Sequence, residues 1–417
     1  MYILLYSVVL LNIILITKIK YKTIIKSNVL FTGMWCVCAG LSSLGLYELY
    51  KPSPIIHFFS LTAILTFNVV FLLHNNVMSN SIDFMKLKGS TRLKVIVLAN
   101  LIAWIYSTPF LIKSINIIAT QGFKVLRAYA FDASMGLGTT LQLLILQWVV
   151  YAIFITTILI AMVYTAIGKK SPILISIALI DVIIYTLIFG GRYLIVRMMM
   201  YYILAYLIMK SSNLKNLQKK KLNIFFIGLI IIIVVVLTSQ RDWGKTSFIE
   251  NTIVYYIGSF SFLDVVLNTS YFNQELIPLF GMGIFGFVVN LLIAPFTFLL
   301  GIPYNGSDAL ITQVTAVSRY ISPTQSYNAM TTMLYPFLRD MGYLGILFGT
   351  AFLSWFVSVS EKMLRKTKQI RFLCLYVYLA FFLFDSVMSY QLLLPSSGIT
   401  LVLLFLFVNS KSHSDEI

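Results

Sequence analysis

Twelve long apolar runs dictate what this chain can become. They lie near residues 2–17, 28–46, 55–74, 95–112, 141–167, 173–189, 193–209, 223–238, 279–300, 341–360, 372–391 and 397–410. Inside a bilayer every backbone polar group must find its partner within the protein, so only helices and closed barrels can cross. The runs are unbroken and do not alternate, which excludes a barrel. With 59% hydrophobic and 11% charged residues, no soluble domain could hide so much apolar surface. The expected fold is all-α: a polytopic integral membrane protein of about 12–13 transmembrane helices in one domain spanning 1–417.

Basic residues set the orientation. The clusters Lys18–Lys26, Lys86–Lys94, Lys169–Lys170, Lys210–Lys221 and Lys362–Arg371 should all face the cytoplasm. They agree only if one further crossing lies between the eighth run and 279–300. The segment NTIVYYIGSFSFLDVVLN (251–268) is the candidate, as a thirteenth span or as part of a re-entrant pair, and the span is favoured. The N-terminus is then outside, with the first run retained as a span because no basic leader or clear cleavage site surrounds it. The C-terminal tail is inside. Three outer regions result, near 113–140, 239–250 and 301–340. The last is the large extracytoplasmic loop, with apolar residues at helical spacing (Leu310, Ile311, Val314, Val317) expected along the membrane surface.

Several function classes drop out. The net charge of +17 is carried mostly by inner-loop lysines, so no nucleic-acid partner is expected. Cys36, Cys38 and Cys374 fall within apolar runs and offer no disulfide framework. His57, His74 and His413 are scattered, so neither histidine catalysis nor a zinc site is expected, and no metal or cofactor is called for. Gly281, Gly283 and Gly286 satisfy the G-x-G-x-x-G pattern but lie in an apolar run without a preceding strand. Close helix packing explains them better than dinucleotide binding.

Arginine is distributed against expectation. Arg127, Arg192, Arg197, Arg241, Arg319 and Arg339 fall on or near the outer face by this topology. Guanidinium forks grip phosphate or carboxylate bidentately, so an anion is expected there. Arg197 lies deeper, where it is either functional or a structural buried charge. Outer carboxylates that could act as acid or base are Asp132, Asp242, Asp308 and Asp340. Asp181, Asp264 and Asp385 fall within spans, for ion coupling or for pairing with arginine. Tyr320, Tyr327, Tyr335 and Tyr343 accompany the arginines of the long loop, an arrangement suited to sugar stacking beside phosphate contact.

Three stretches carry a resemblance: GGRYLIVRMMMYY (190–202), SQRDW (239–243) with the following YYIGSFSFLDVVL, and above all SYNAMTTMLYPFLRDMGYLGILFGTAFLSWF (326–356). Together they resemble the Wzy family of bacterial O-antigen and capsule repeat-unit polymerases, whose architecture of about a dozen spans and one large late outer loop agrees along nearly the whole chain. The thirteenth span departs from that family's pattern. The resemblance implies a metal-independent membrane glycosyltransferase, similar to the C-type glycosyltransferase membrane folds. It would move a growing chain from undecaprenyl diphosphate to a new lipid-linked repeat at the outer leaflet of the bacterial plasma membrane. Lipid-linked oligosaccharide and the bilayer are the implied partners, with a chain-length regulator and a flippase beside them. The implied diphosphate contacts are Arg192, Arg241, Arg319 and Arg339, with Arg197 behind them. Asp340 and Asp242 are the catalytic candidates, Asp340 alternatively orienting Arg339, and Tyr320, Tyr327 and Tyr335 the sugar-binding ones. A lipid-linked oligosaccharide flippase is the rival from another class. A glycan ligase is the nearer rival, but that family's outer-loop histidine is missing here.

Overall fold

A computed structural model describes residues 1–75, 87–122, 125–126, 137–169, 171–210, 248–269, 279–302, 306–327 and 330–410. The helices are α1 (Tyr2–Tyr21), α2 (Ser27–Ser42), α3 (Pro54–His74), α4 (Leu93–Gln121), α5 (Thr140–Ala166), α6 (Pro172–Phe189), α7 (Tyr193–Lys210), α8 (Phe248–Asn268), α9 (Met282–Leu299), α10 (Ser307–Thr315), α11 (Leu334–Thr367), α12 (Ile370–Asp385) and α13 (Pro395–Phe407). Two short ribbons complete the described residues: β1 (Ser90–Thr91) with β4 (Val408–Asn409), and β2 (Arg319–Tyr320) with β3 (Ser326–Tyr327), both antiparallel. The chain is an all-α membrane protein. Six helices, α1, α3, α4, α5, α6 and α11, are long and apolar enough to cross a bilayer. The expected span at 223–238 lies outside the described residues.

The chain divides into two compact units. The first comprises Met1–Asn80, Lys245–Lys362 and Phe382–Gly398. Its core stacks Phe31 on Phe67, with Trp35 edge-on to Phe260. Polar bonds tie α1, α2 and α3 together: Asn28 donates to Thr17 and Asn68, and Asn68 donates to Thr32. Such amides join helices where water is absent. Lys26, counted above among the cytoplasmic charges, is almost fully buried in an ion pair with Glu361. Asn75 donates to that carboxylate at 2.7 Å, so Lys26 fastens helices together rather than marking a loop.

The second unit comprises Ser81–Gly244, Met363–Phe381 and Ile399–Ile417. Its centre is α5, buried on nearly every side from Ala152 to Tyr164 and packed by α4, α6 and α7. A helix apolar all round belongs inside a bundle. Gly190 ends α6 at φ 59°, and the Arg192 carbonyl accepts the first bonds of α7. Gly190 and Gly191 thus make a tight turn between α6 and α7.

Two features overturn sequence expectations. The inward crossing at 251–268 is the first. Asp264 of α8 accepts from the Ser53 backbone N–H and hydroxyl, and Thr269 accepts from Arg319 at 3.3 Å. The end of α8 thus lies beside the β2–β3 ribbon, part of the loop expected outside, and beside the 46–54 connection, which follows the outward-going second run. An inward crossing would have separated them by about 30 Å. The second concerns α12 and α13, expected as two full spans. Their 16 and 13 residues rise only about 24 and 20 Å. The start of α12 and the end of α13 lie together, with Ile370 N–H on the Lys88 carbonyl and Arg92 N–H on that of Phe407. Between them residues 386–394 turn inside the protein. These helices form an interrupted hairpin with a buried tip.

Candidate functional site

The strongest constellation surrounds the tail of the long loop. Within α11 the helix breaks at Met341 (φ −146°) and Gly342 (φ 57°, ψ −137°), and the second combination of angles is one that glycine adopts readily. The break reverses the chain, laying residues 334–340 back along the following helix. Gly345 and Gly349 make this possible: a Cβ on Gly345 would strike the Phe337 carbonyl, and one on Gly349 would lie 2.7 Å from its ring. Glycines four apart clear one helix face for another backbone.

The reversal gives Arg339 and Asp340 separate tasks. The Asp340 carboxylate accepts backbone N–H bonds from Gly281, Gly283 and Ile284 at 3.1, 2.9 and 2.7 Å. These N–H groups open α9, so the carboxylate satisfies orphan donors at the positive end of a helix dipole. The Arg339 carbonyl accepts from Leu279 N–H at 3.0 Å. Its guanidinium donates to the Tyr335 hydroxyl at 3.0 Å, one turn back. This geometry corrects the reading of Asp340 as a base: its lone pairs already hold three donors, and its job is positioning. Gly283 abuts Asp340 and Gly286 abuts Ser307 and Leu393, which accounts for the G-x-G-x-x-G spacing by packing.

The tip of the α12–α13 hairpin completes this region. Thr332 and Met333 donate backbone N–H bonds to the carbonyls of Met388 and Ser386. Tyr390 stacks edge-on against Phe337 and donates to the Ile284 carbonyl at 3.0 Å. Asp385 accepts from Ser389 and Gln391 at 2.9 and 2.6 Å, Trp35 donates to Ser386, and Ser259 donates to the Val387 carbonyl. A polar tip, level with the middles of α2 and α8, therefore meets an in-turned segment from the long loop. Sequence reading missed the tip. Its signal was two short apolar runs interrupted by DSVMSYQLLLPSSG (385–398), the pattern of broken helices around internal sites.

The remaining candidates are dispersed. Arg319 is half-buried in the β2–β3 ribbon, bonded to Thr269, with Tyr320 65% exposed beside it. Tyr327 is buried between Tyr255 and Phe262, donates to the Tyr255 carbonyl, and has its phenol pushed well up by burial. Tyr335 is fully buried. Neither ring offers a face to a sugar, which corrects those two assignments; Tyr320 keeps an open face. Arg192 caps α7 and is half-buried. Arg197 is 1% exposed and sits over the rings of Tyr193, Tyr201, Tyr378 and Phe381, 4.7–5.7 Å from their centroids. It donates to the Tyr151 hydroxyl at 3.2 Å. An aromatic cage of this kind holds a structural cation, so Arg197 is withdrawn from the diphosphate set. Asp308 lies in the first turn of α10. Arg127, Asp132, Arg241 and Asp242 lie outside the described residues. The first unit thus brings together Tyr335, Arg339, Asp340 and the hairpin tip. Among known protein families, curated proteins and solved structures, none matches this chain.

Proposed function

We propose that the protein polymerises lipid-linked oligosaccharide repeats, transferring a growing chain from undecaprenyl diphosphate to a new repeat at the outer face of a bacterial plasma membrane. One observation carries the reading. The stretch with the strongest family resemblance, 326–356, contains the chain reversal at Met341–Gly342, with Arg339 beside it and Asp340 locking it. Displacement at an anomeric carbon expels a lipid diphosphate, and preorganised guanidinium groups stabilise that developing charge. Arg339 and Arg319, both of the first unit, are the leading contacts, and Tyr320 supplies a stacking face. Holding two membrane-bound substrates in one site makes their encounter effectively intramolecular. A chain-length regulator and a flippase would act beside it.

The decisive experiment is deletion of the gene followed by electrophoresis of surface glycan. A polymerase deletion leaves glycan capped at one repeat. Complete loss of surface glycan supports the second reading, a lipid-linked oligosaccharide flippase. That reading draws on the interrupted hairpin and on Asp181, buried in a helix middle, since transporters build internal sites from such parts.

A further inference from the structure

The second unit contains a buried acid that the polymerase reading does not use. Asp181 lies ten residues into α6, about 13 Å from its start, and is fully buried. Helix α4 runs alongside in the same direction: Trp104 donates its indole N–H to Asp181 Oδ1 at 2.7 Å, and Ser114 further on donates to the Ile188 carbonyl at 3.4 Å. Between those contacts on the same face of α4 is Ser107, 1% exposed; one turn before Trp104 is Asn100, fully buried. Asn100 spends its amide N–H groups on the Ile96 carbonyl and on Thr157 of α5.

Three oxygens along this seam have no hydrogen-bond partner: Asp181 Oδ2, Asn100 Oδ1 and Ser107 Oγ. Among the described residues no charged side chain acts on Asp181, and the Trp104 indole is its single polar contact. An ionised Oδ2 here would be a buried charge without a donor, which proteins tolerate badly. A proton on Oδ2 removes the charge and creates a donor, while Asn100 Oδ1 supplies an acceptor of the opposite kind. Buried waters commonly bridge groups left over in this way.

We propose that Asp181 is a proton-binding site, its carboxyl carrying the proton on Oδ2. The proton comes from solvent hydronium, which leaves as water, and forms one O–H bond with no electron transfer. The site is independent of glycan polymerisation and gives the second unit a titratable centre of its own.

Infrared difference spectroscopy of the full chain in lipid nanodiscs, with ¹³C-aspartate labelling, tests this. At neutral pH the wild type should show a free-acid carbonyl stretch that shifts on labelling, and Asp181→Asn should lose one carboxyl's worth of it. Trp104→Phe keeps the shape but removes the donor to Oδ1, so the same band should move to higher frequency. This second variant reads the site even if Asp181→Asn does not fold. An unchanged free-acid region in Asp181→Asn, or in Trp104→Phe, overturns the proposal. So does loss of the band on adding sodium, which would make the occupant a metal cation.

Discussion

Arg197 and Arg339 look alike in sequence, each an arginine at the edge of an apolar run, and they end in opposite circumstances. Arg197 is enclosed by four aromatic rings contributed by α7 and α12, with a Tyr151 hydroxyl from α5. Arg339 rides a single helical turn at a chain reversal, held by Tyr335 from its own turn while its neighbour Asp340 fastens the start of α9. The first arrangement suits a cation that stabilises a bundle. The second suits a cation aimed by the backbone, with its orientation set by a reversal that three glycines permit. Burial alone does not separate the two, since both are under 10% exposed; the aromatic cage of Arg197, drawn from two helices, does.

That contrast can be broken most severely at the reversal. Gly345→Val should abolish it, because the added atoms fall on the Phe337 carbonyl; folded yield in detergent should collapse and no glycan ladder should form. Asp340→Ala should cost at least about 3 kcal/mol, since three buried N–H groups lose their acceptor at roughly 1–3 kcal/mol each. Thermal unfolding of the purified protein reads this loss, and an unchanged unfolding temperature would refute the capping role.

The two arginines should then respond differently to lysine. Arg339→Lys should cut chain extension tenfold or more with little change in unfolding temperature, because lysine keeps the charge and loses the fork. Arg197→Lys should do the reverse, costing about 1–2 kcal/mol of stability through weakened stacking while the folded fraction extends glycan normally. Equal effects of both on chain length would erase the distinction. The smallest effect belongs to Gly33→Ala in α2, where nothing lies within 4 Å of the added methyl. It should shift stability by no more than about 1 kcal/mol, in the favourable direction.

Much of the architecture was legible in the sequence because hydrophobic length is a local property. Described helices overlie eleven of the twelve runs, although α4 and α11 extend well past theirs and α12 stops six residues short. The candidate site was legible as a stretch, since the 326–356 segment drew attention, but its roles were not. Asp340 reads as a base because no sequence pattern reveals three N–H groups arriving from residues 281–284. Tyr327 and Tyr335 read as sugar platforms because a tyrosine's spacing does not say whether its face is covered. The hairpin tip was hidden by a pair of runs that looked long enough when counted by hydropathy, although α12 stops at Asp385.

By itself the sequence determined that this chain enters a membrane, that its crossings are helical, and where nearly all the helices lie. Those facts follow from transfer free energies and from the demand that backbone bonds be satisfied within each segment. Only the tertiary structure decided which helices are interrupted, that α8 ends beside Ser53 and Arg319, and which arginine is caged and which is aimed. Those depend on contacts between residues far apart in the chain, such as Phe337 against Gly349 or Asp264 on Ser53. Hydropathy carries no record of such pairings.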